Sequence, residues 1–338
     1  MRSYKFQELR GLCIIAVILI HLLPGSIETN SFDYWLSFRR VINFPVAIFI
    51  FISGYFLKLN EFESGFITFY KKKFIRLVIP YFVWSLFFSI PILKDYHNLT
   101  FNKIFEIIFF GAAADHLYFI VVLLQLILIT PLIISVIKKK SKWSKLLLYS
   151  LTPIYIFFLY YYNISTNSIL PNYHKLFPAW ILFYIFGILM RNNLIKIDWS
   201  ITTRMLFVII AIILSMAEAN LFINYGYDSN FASSQITLTS FLYSFSLIIL
   251  FNSSNTHSET YCKTLVKIGN YSFGIYFIHI FYLSFIHKVP FTHTFSDLPQ
   301  FLLYQFLVGA ITIILSYFTV HIATKLLGSR LIRYLGFN

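Results

Sequence analysis

Arg10 and His21 bracket ten almost wholly apolar residues, GLCIIAVILI. On a helix, eleven steps of about 100° bring both side chains to one face, separated by a rise of about 16.5 Å. A guanidinium at one end of such a stripe attracts polyanions, and an imidazole deeper along it acts as a base or nucleophile near neutral pH. The structural alternative is an arginine that anchors a membrane helix at the headgroups and a histidine that bonds a neighbouring helix. Two more ionisable groups fall at similar depth in apolar runs. His279, in YSFGIYFIHI, lies eleven residues beyond Ile268, and Glu218, in SMAEANLF, lies fourteen past Arg204. A carboxylate and two imidazoles in one layer make a buried polar cavity, where the acid orients or charges a basic imidazole. For Glu218 the competing account is a helix that ends sooner and leaves the acid wet; for His279 it is a structural hydrogen bond.

Asp115 and His116 open the run DHLYFIVVLLQ. Adjacent helical residues point about 100° apart, so they do not face each other, but one of the two is placed to look into a cavity. An Asp N-cap accounts for Asp115 and leaves His116 unexplained. At the other end of the chain's charge pattern, FYKKKFIRLVIPY sets Lys73 and Arg76 three apart on one helix face, a spacing suited to phosphate oxygens. Lysines at 71 and 72 and in KKKSKWSK need no more than topology and anionic lipid to explain them.

The elements that must position these groups follow from composition. The 338 residues are 58% hydrophobic and 20% aromatic, only 12% are charged, and the mean hydropathy is +0.74. That is an integral membrane protein of the all-α class. About ten spans are expected, near 11–28, 41–58, 77–93, 116–137, 146–162, 177–190, 205–223, 237–252, 268–287 and 301–325. The net charge of +14 reflects where Lys and Arg lie between the spans, with 21 of the 27 in alternate loops. Both termini are therefore expected in the cytoplasm, and nucleic acid is not an expected partner. Cys13 and Cys262 supply neither a disulfide framework nor a zinc site, so no metal is expected. The first apolar run is long and lacks a small-residue cleavage site, so it reads as a retained span. No composition break divides residues 1–338, which read as one domain. Residues 96–111 have apolar positions at helical spacing and are expected along the outer interface, as a lid.

Five pieces in order, R-x10-H in the first span, FPVAIFIFISGYFL, FIRLVIPY, DHLYFIVVLLQ and IGNYSFGIYFIH, resemble the membrane-bound acyltransferase 3 family over essentially the whole chain. The resemblance implies transfer of an acyl group, usually acetyl, from cytoplasmic acyl-CoA to a hydroxyl of a surface or lipid-linked carbohydrate. Acyl-CoA is then a donor substrate, with no permanently bound cofactor. It further implies a multi-pass protein of the bacterial cytoplasmic membrane, in the form without an added esterase-like domain. Arg10 and His21 match the family's first-span pair, Arg10 for acyl-CoA and His21 for transfer. Arg76 matches the second arginine of an Arg-x-x-Arg motif whose first position here is Lys73, which keeps the charge and loses the planar fork.

Combining residues and resemblance, His21, Glu218 and His279 are the expected catalytic set, and Arg10, Lys73 and Arg76 the expected acyl-CoA contacts. Asp115, His116 and Tyr55 are the expected acceptor contacts, with Tyr34, Trp35 and Tyr173 as further outer aromatics. His21 either deprotonates the acceptor hydroxyl or carries the acyl group in passing. The alternative from another class is a carrier or exporter of a lipid-linked sugar, for which the same polar layer is a binding site. A carrier has no need of phosphate-suited cations three turns below a histidine.

Overall fold

The computed structural model describes residues 4–22, 33–62, 65–94, 100–251, 261–286 and 298–337. Among them the chain is helical, without a strand. The helices run in order α1 (Tyr4–Leu22), α2 (Tyr34–Ile42), α3 (Pro45–Tyr55), α4 (Phe66–Lys94), α5 (Phe101–Phe110), α6 (Tyr118–Lys138) and α7 (Lys142–Thr166). They continue as α8 (Ile181–Arg191), α9 (Ile201–Asn224), α10 (Ser229–Ala232), α11 (Leu238–Phe251), α12 (Lys263–Asn270), α13 (Ser272–Ile286), α14 (Leu298–Leu326) and α15 (Ser329–Leu335). By length and composition five segments are able to cross a bilayer: Tyr34–Tyr55, Phe66–Leu93, Asp115–Lys138, Ile201–Asn224 and Leu303–Leu326. Shorter apolar helices accompany them at Ile181–Arg191, Leu238–Phe251 and Ser272–Ile286. The protein is an all-α polytopic membrane protein.

Each of the ten expected ranges overlaps a helix. The ends of four expectations, at 23–28, 96–99, 252 and 287, lie outside the described residues. One expected span is built differently. Residues 34–42 form α2, of which 34–40 precede the expected span 41–58; Asp33 caps it by accepting from the Leu36 amide at 2.9 Å. The chain then bends at Asn43 and Phe44 and resumes as α3 with Pro45 at its first turn, where a missing N–H costs nothing. Prolines also lie inside α4, α6 and α7, which neighbouring helices tolerate in a membrane.

The chain sorts into two compact units, each assembled from separated segments. The first contains residues 1–23, 73–121 and 260–338. Its α1 packs on α12 at glycines: a Cβ on Gly11 would strike the Leu265 carbonyl, and one on Gly269 the Gln7 carbonyl. Such backbone-to-backbone approach is how helices associate where lipid removes the hydrophobic driving force. Elsewhere in this unit Trp84 of α4 stacks on Phe277 of α13 and donates to the Leu335 carbonyl at 3.0 Å. The helix α5, which occupies most of the expected interfacial segment, is tied to α4 by Tyr81, whose hydroxyl donates to the Ile108 carbonyl at 2.8 Å. Phe101, Phe105 and Phe109 of α5 are exposed and Ile107 is buried.

The second unit contains residues 24–72 and 122–259. Here α2 lies on α9, where the Asn220 carboxamide accepts from the Asp33 amide at 2.7 Å and donates to Ser37 at 2.9 Å. The α3 helix packs on α8, and α11 on α9. Thr130 of α6 bonds the Tyr184 hydroxyl of α8 at 2.8 Å.

Candidate active site

The first unit brings three histidines together. His21 stands near the end of α1, half-buried, and its ring centroid is 5.4 Å from that of His279 on α13. His279 is 0% exposed, and its ring lies 5.0 Å from that of His116, itself 2% exposed. His116 sits on the one-turn 3₁₀ segment Asp115–Leu117 that leads into α6. Three elements remote in sequence thus deliver three imidazoles in a row, His21, His279 and His116.

The surroundings of the central ring set its chemistry. Its Nδ1 lies 2.8 Å from the Tyr276 carbonyl and 3.2 Å from that of Ile275. Two acceptors on that nitrogen require that it carry the proton, so the neutral ring's lone pair is on Nε2. Nε2 is buried and has no hydrogen-bond partner. Buried polar atoms are nearly all bonded, so this nitrogen is open to a partner that the surrounding helices do not supply. Both ring nitrogens of His116 are likewise buried without a hydrogen-bond partner. Phe88 and Tyr276 frame that ring edge-on, at 5.4 and 5.1 Å, and the Tyr276 hydroxyl donates to the His116 carbonyl. Burial among aromatic rings strengthens the electrostatic interactions of those nitrogens.

Of the expected residues, Arg10, Lys73, Arg76, Asp115, His116, His21 and His279 all belong to this unit. Arg10 and His21 share α1, both half-buried, and Lys73 and Arg76 share α4, the lysine half-buried and the arginine exposed. Asp115 and His116 separate as adjacent residues must: Asp115 is exposed, while His116 is buried in the imidazole row. The N-cap position belongs to Ala114, so capping does not account for Asp115.

Two expected residues lie in the second unit. Glu218, on α9, takes hydrogen bonds from the hydroxyls of Tyr160 and Thr239, and Arg40 stands 3.6 Å from its Oε2. The carboxylate is therefore engaged by its own helices, and the physical reason is Arg40. That side chain is 0% exposed and is held by the Ala232 carbonyl at 2.8 Å, by Thr237 at 2.6 Å and by Ser240. A buried guanidinium needs a counter-charge, and Glu218 supplies it. Tyr55 ends α3 beside Phe51, with the Arg191 guanidinium 5.9 Å from its ring centre. Of the outer aromatics, Tyr34 is exposed, whereas Trp35 and Tyr173 are buried, and the Tyr173 hydroxyl donates to Ser234 at 2.8 Å.

Sequence reasoning passed over Tyr276 and Arg40. Tyr276 is three residues before His279, on the same helix face, which was a usable signal. Arg40 precedes the expected span 41–58 and so counts in the sequence as a cation between spans; D-x-W-L-S from Asp33, a cap before an apolar pattern, marks the helix that buries it.

A helical membrane scaffold that seats a pinned imidazole beside a second one belongs to a class suited to moving groups or protons inside the bilayer. Residues 5–321 match the acyltransferase 3 family, described as an acyltransferase domain, and the chain belongs to that family. It is similar to the nodulation protein NolL of Sinorhizobium fredii, 32% identical over 85 residues, which are 25% of this chain and 23% of that protein. It is also 25% identical over 317 residues to a probable poly-beta-1,6-N-acetyl-D-glucosamine export protein of Staphylococcus aureus strain MSSA476, covering 86% of this chain and 84% of that one. The protein of the same name in strain MRSA252 matches at the same identity and coverage. No solved structure matches the chain.

Proposed function

We propose that the protein transfers an acyl group, acetyl, from cytoplasmic acyl-CoA to a carbohydrate hydroxyl at a bacterial cytoplasmic membrane, with His21 as the transfer residue. The observation that carries this reading is His21 beside a buried His279 whose Nδ1 is committed to backbone and whose Nε2 is a lone-pair acceptor. His279 holds or deprotonates His21 as the latter removes the acceptor's proton or takes the acyl group. In either route the thioester C–S bond breaks, a C–O bond to the acceptor forms, and the hydroxyl proton ends on the thiol. Arg10, Lys73 and Arg76 hold the phosphates of acyl-CoA, since fixed cations favour polyanions. Asp115 remains as an acceptor contact, and His116 closes the imidazole row. A carbohydrate acceptor is favoured by the saccharide named in the staphylococcal relative.

The test is acetyl transfer by the purified protein supplied with acetyl-CoA. His21→Ala is expected to lose transfer, and wild-type turnover in that variant ends the assignment. Arg10→Ala is expected to weaken acyl-CoA binding in calorimetry.

A second reading, export of a polysaccharide, is favoured by that same relative's printed name. Proteoliposomes that move an oligosaccharide without acylating it would support export; an acylated product formed at intact rate by a sealed, non-transporting preparation supports transfer.

A further inference from the structure

The helix α15 buries none of its own residues, yet the two that follow it are buried, Gly336 and Phe337, the latter 4% exposed. Local chemistry explains the turn. Gly336 has a φ of +73°, a region open to glycine without steric cost. Its N–H donates to the Arg333 carbonyl and that of Phe337 to the Ile332 carbonyl, which satisfies the helix end and folds the chain back.

A second glycine makes room for the Phe337 ring. A Cβ on Gly274 of α13 would come within 2.9 Å of that ring, so the ring fills space that α13 leaves open. On the side of α4, the Phe337 ring lies 6.1 Å from that of Trp84, centroid to centroid. Gly336 meets the same two helices: a Cβ added there would lie 2.8 Å from Phe277 and 3.2 Å from Pro80. The Trp84 indole completes the contact through its bond to the Leu335 carbonyl. Residues 335–337 therefore grip α4 and α13 together.

That grip answers a physical need. Trp84 and Phe277 stack with centroids 6.0 Å apart and 8° between their planes, and flat faces set no register along the helix axes. Lipid gives apolar helices no hydrophobic reason to stay paired. A directional hydrogen bond in apolar surroundings, with a ring inserted beside it, fixes what stacking leaves free. Register matters on α4, because it carries Lys73 and Arg76, and Trp84 follows Arg76 by about 12 Å along the axis. One turn further on, Phe88 meets the His116 ring edge-on, while α13 carries Tyr276 and His279.

We propose that Leu335–Phe337 is a clip that locks α4 against α13, with Trp84 and Phe337 as positioning residues that set the reach from the cations of α4 to the imidazole row. The proposal rests on the acyl-CoA reading above, since the clip aligns the phosphate end of the donor with its thioester end. Misplacement by about 1 Å costs on the order of 10²-fold in rate.

Two donors separate positioning from stability. Acetyl-CoA carries the phosphates and acetyl-pantetheine lacks them, so only the first draws on the cations of α4. The wild-type preference for acetyl-CoA, read as a ratio of kcat/KM values, is expected to fall about tenfold in Phe337→Ala and in Trp84→Phe, which keeps a ring and loses the N–H. Phe337→Leu, which refills the space beside Gly274, is expected to restore the ratio. A loss of stability alone leaves that ratio unmoved. Independently of transfer, spin labels at Phe82→Cys and Phe285→Cys, exposed on α4 and α13, report the separation of the two helices in a background with Cys13 and Cys262 replaced by serine. Phe337→Ala is expected to shift or broaden that distance distribution. An unchanged distribution, or an unchanged donor ratio in a variant that turns over, overturns the proposal. Failure of the wild type to transfer from either donor ends the transfer reading, and the spin-label distances still decide whether the clip holds α4.

Discussion

At the scale of single residues, the pinned ring of His279 is the most testable feature. Asparagine imitates an imidazole Nδ1–H and lacks Nε2, so His279→Asn keeps a donor near the Tyr276 carbonyl and removes the lone pair beside His21. If that lone pair takes part in proton transfer, turnover is expected to fall by about 10²–10⁴-fold, with acyl-CoA affinity unchanged. Full activity in His279→Asn limits the ring to a structural role. Tyr276→Phe deletes the bond to the His116 carbonyl and is expected to cost about 1 kcal/mol, read as a lower melting temperature in detergent. The Arg40 network is the more fragile. Arg40→Met leaves Glu218 without its counter-charge, and a destabilisation of about 3–5 kcal/mol is expected in the same melt.

Helices reveal which features the chain displays in advance. Apolar runs marked ten ranges that each overlap a helix, five of them in segments long and apolar enough to cross a bilayer, and the R-x10-H spacing marked two residues that share α1 because helical periodicity is fixed. Side-chain partners are less legible: Arg40 engages the Glu218 carboxylate, and the carbonyls of its own helix engage the His279 ring. What decides such pairing is which helices pack, and that depends on glycine contacts a hydropathy profile does not register. The α1 and α12 crossing is the clearest case. A larger residue at either glycine meets backbone rather than a side chain able to swing away, so Gly269→Val is expected to abolish the monodisperse peak in size-exclusion chromatography. Recovery of a normal peak from Gly269→Val would mean that the crossing can widen.

For the whole molecule, loop charge predicts a sidedness that labelling can read. On a background with Cys13 and Cys262 replaced by serine, Ser141→Cys is expected to react with a membrane-impermeant maleimide only in inverted vesicles, and Asn230→Cys only in intact cells. Reversed accessibility would place acyl-CoA and its cations on opposite faces and defeat the transfer reading. The two units add a constraint on how the protein is made. His21 emerges from the ribosome early, whereas His279 belongs to the C-terminal segment of the same unit, with all of the second unit synthesised between them. At roughly 5–20 residues per second the first helix waits on the order of tens of seconds for its partners. During that interval α1, with Arg10 and His21 on one face, stands without the histidine it packs against, and no nascent chain lacking its final helices has the three imidazoles together.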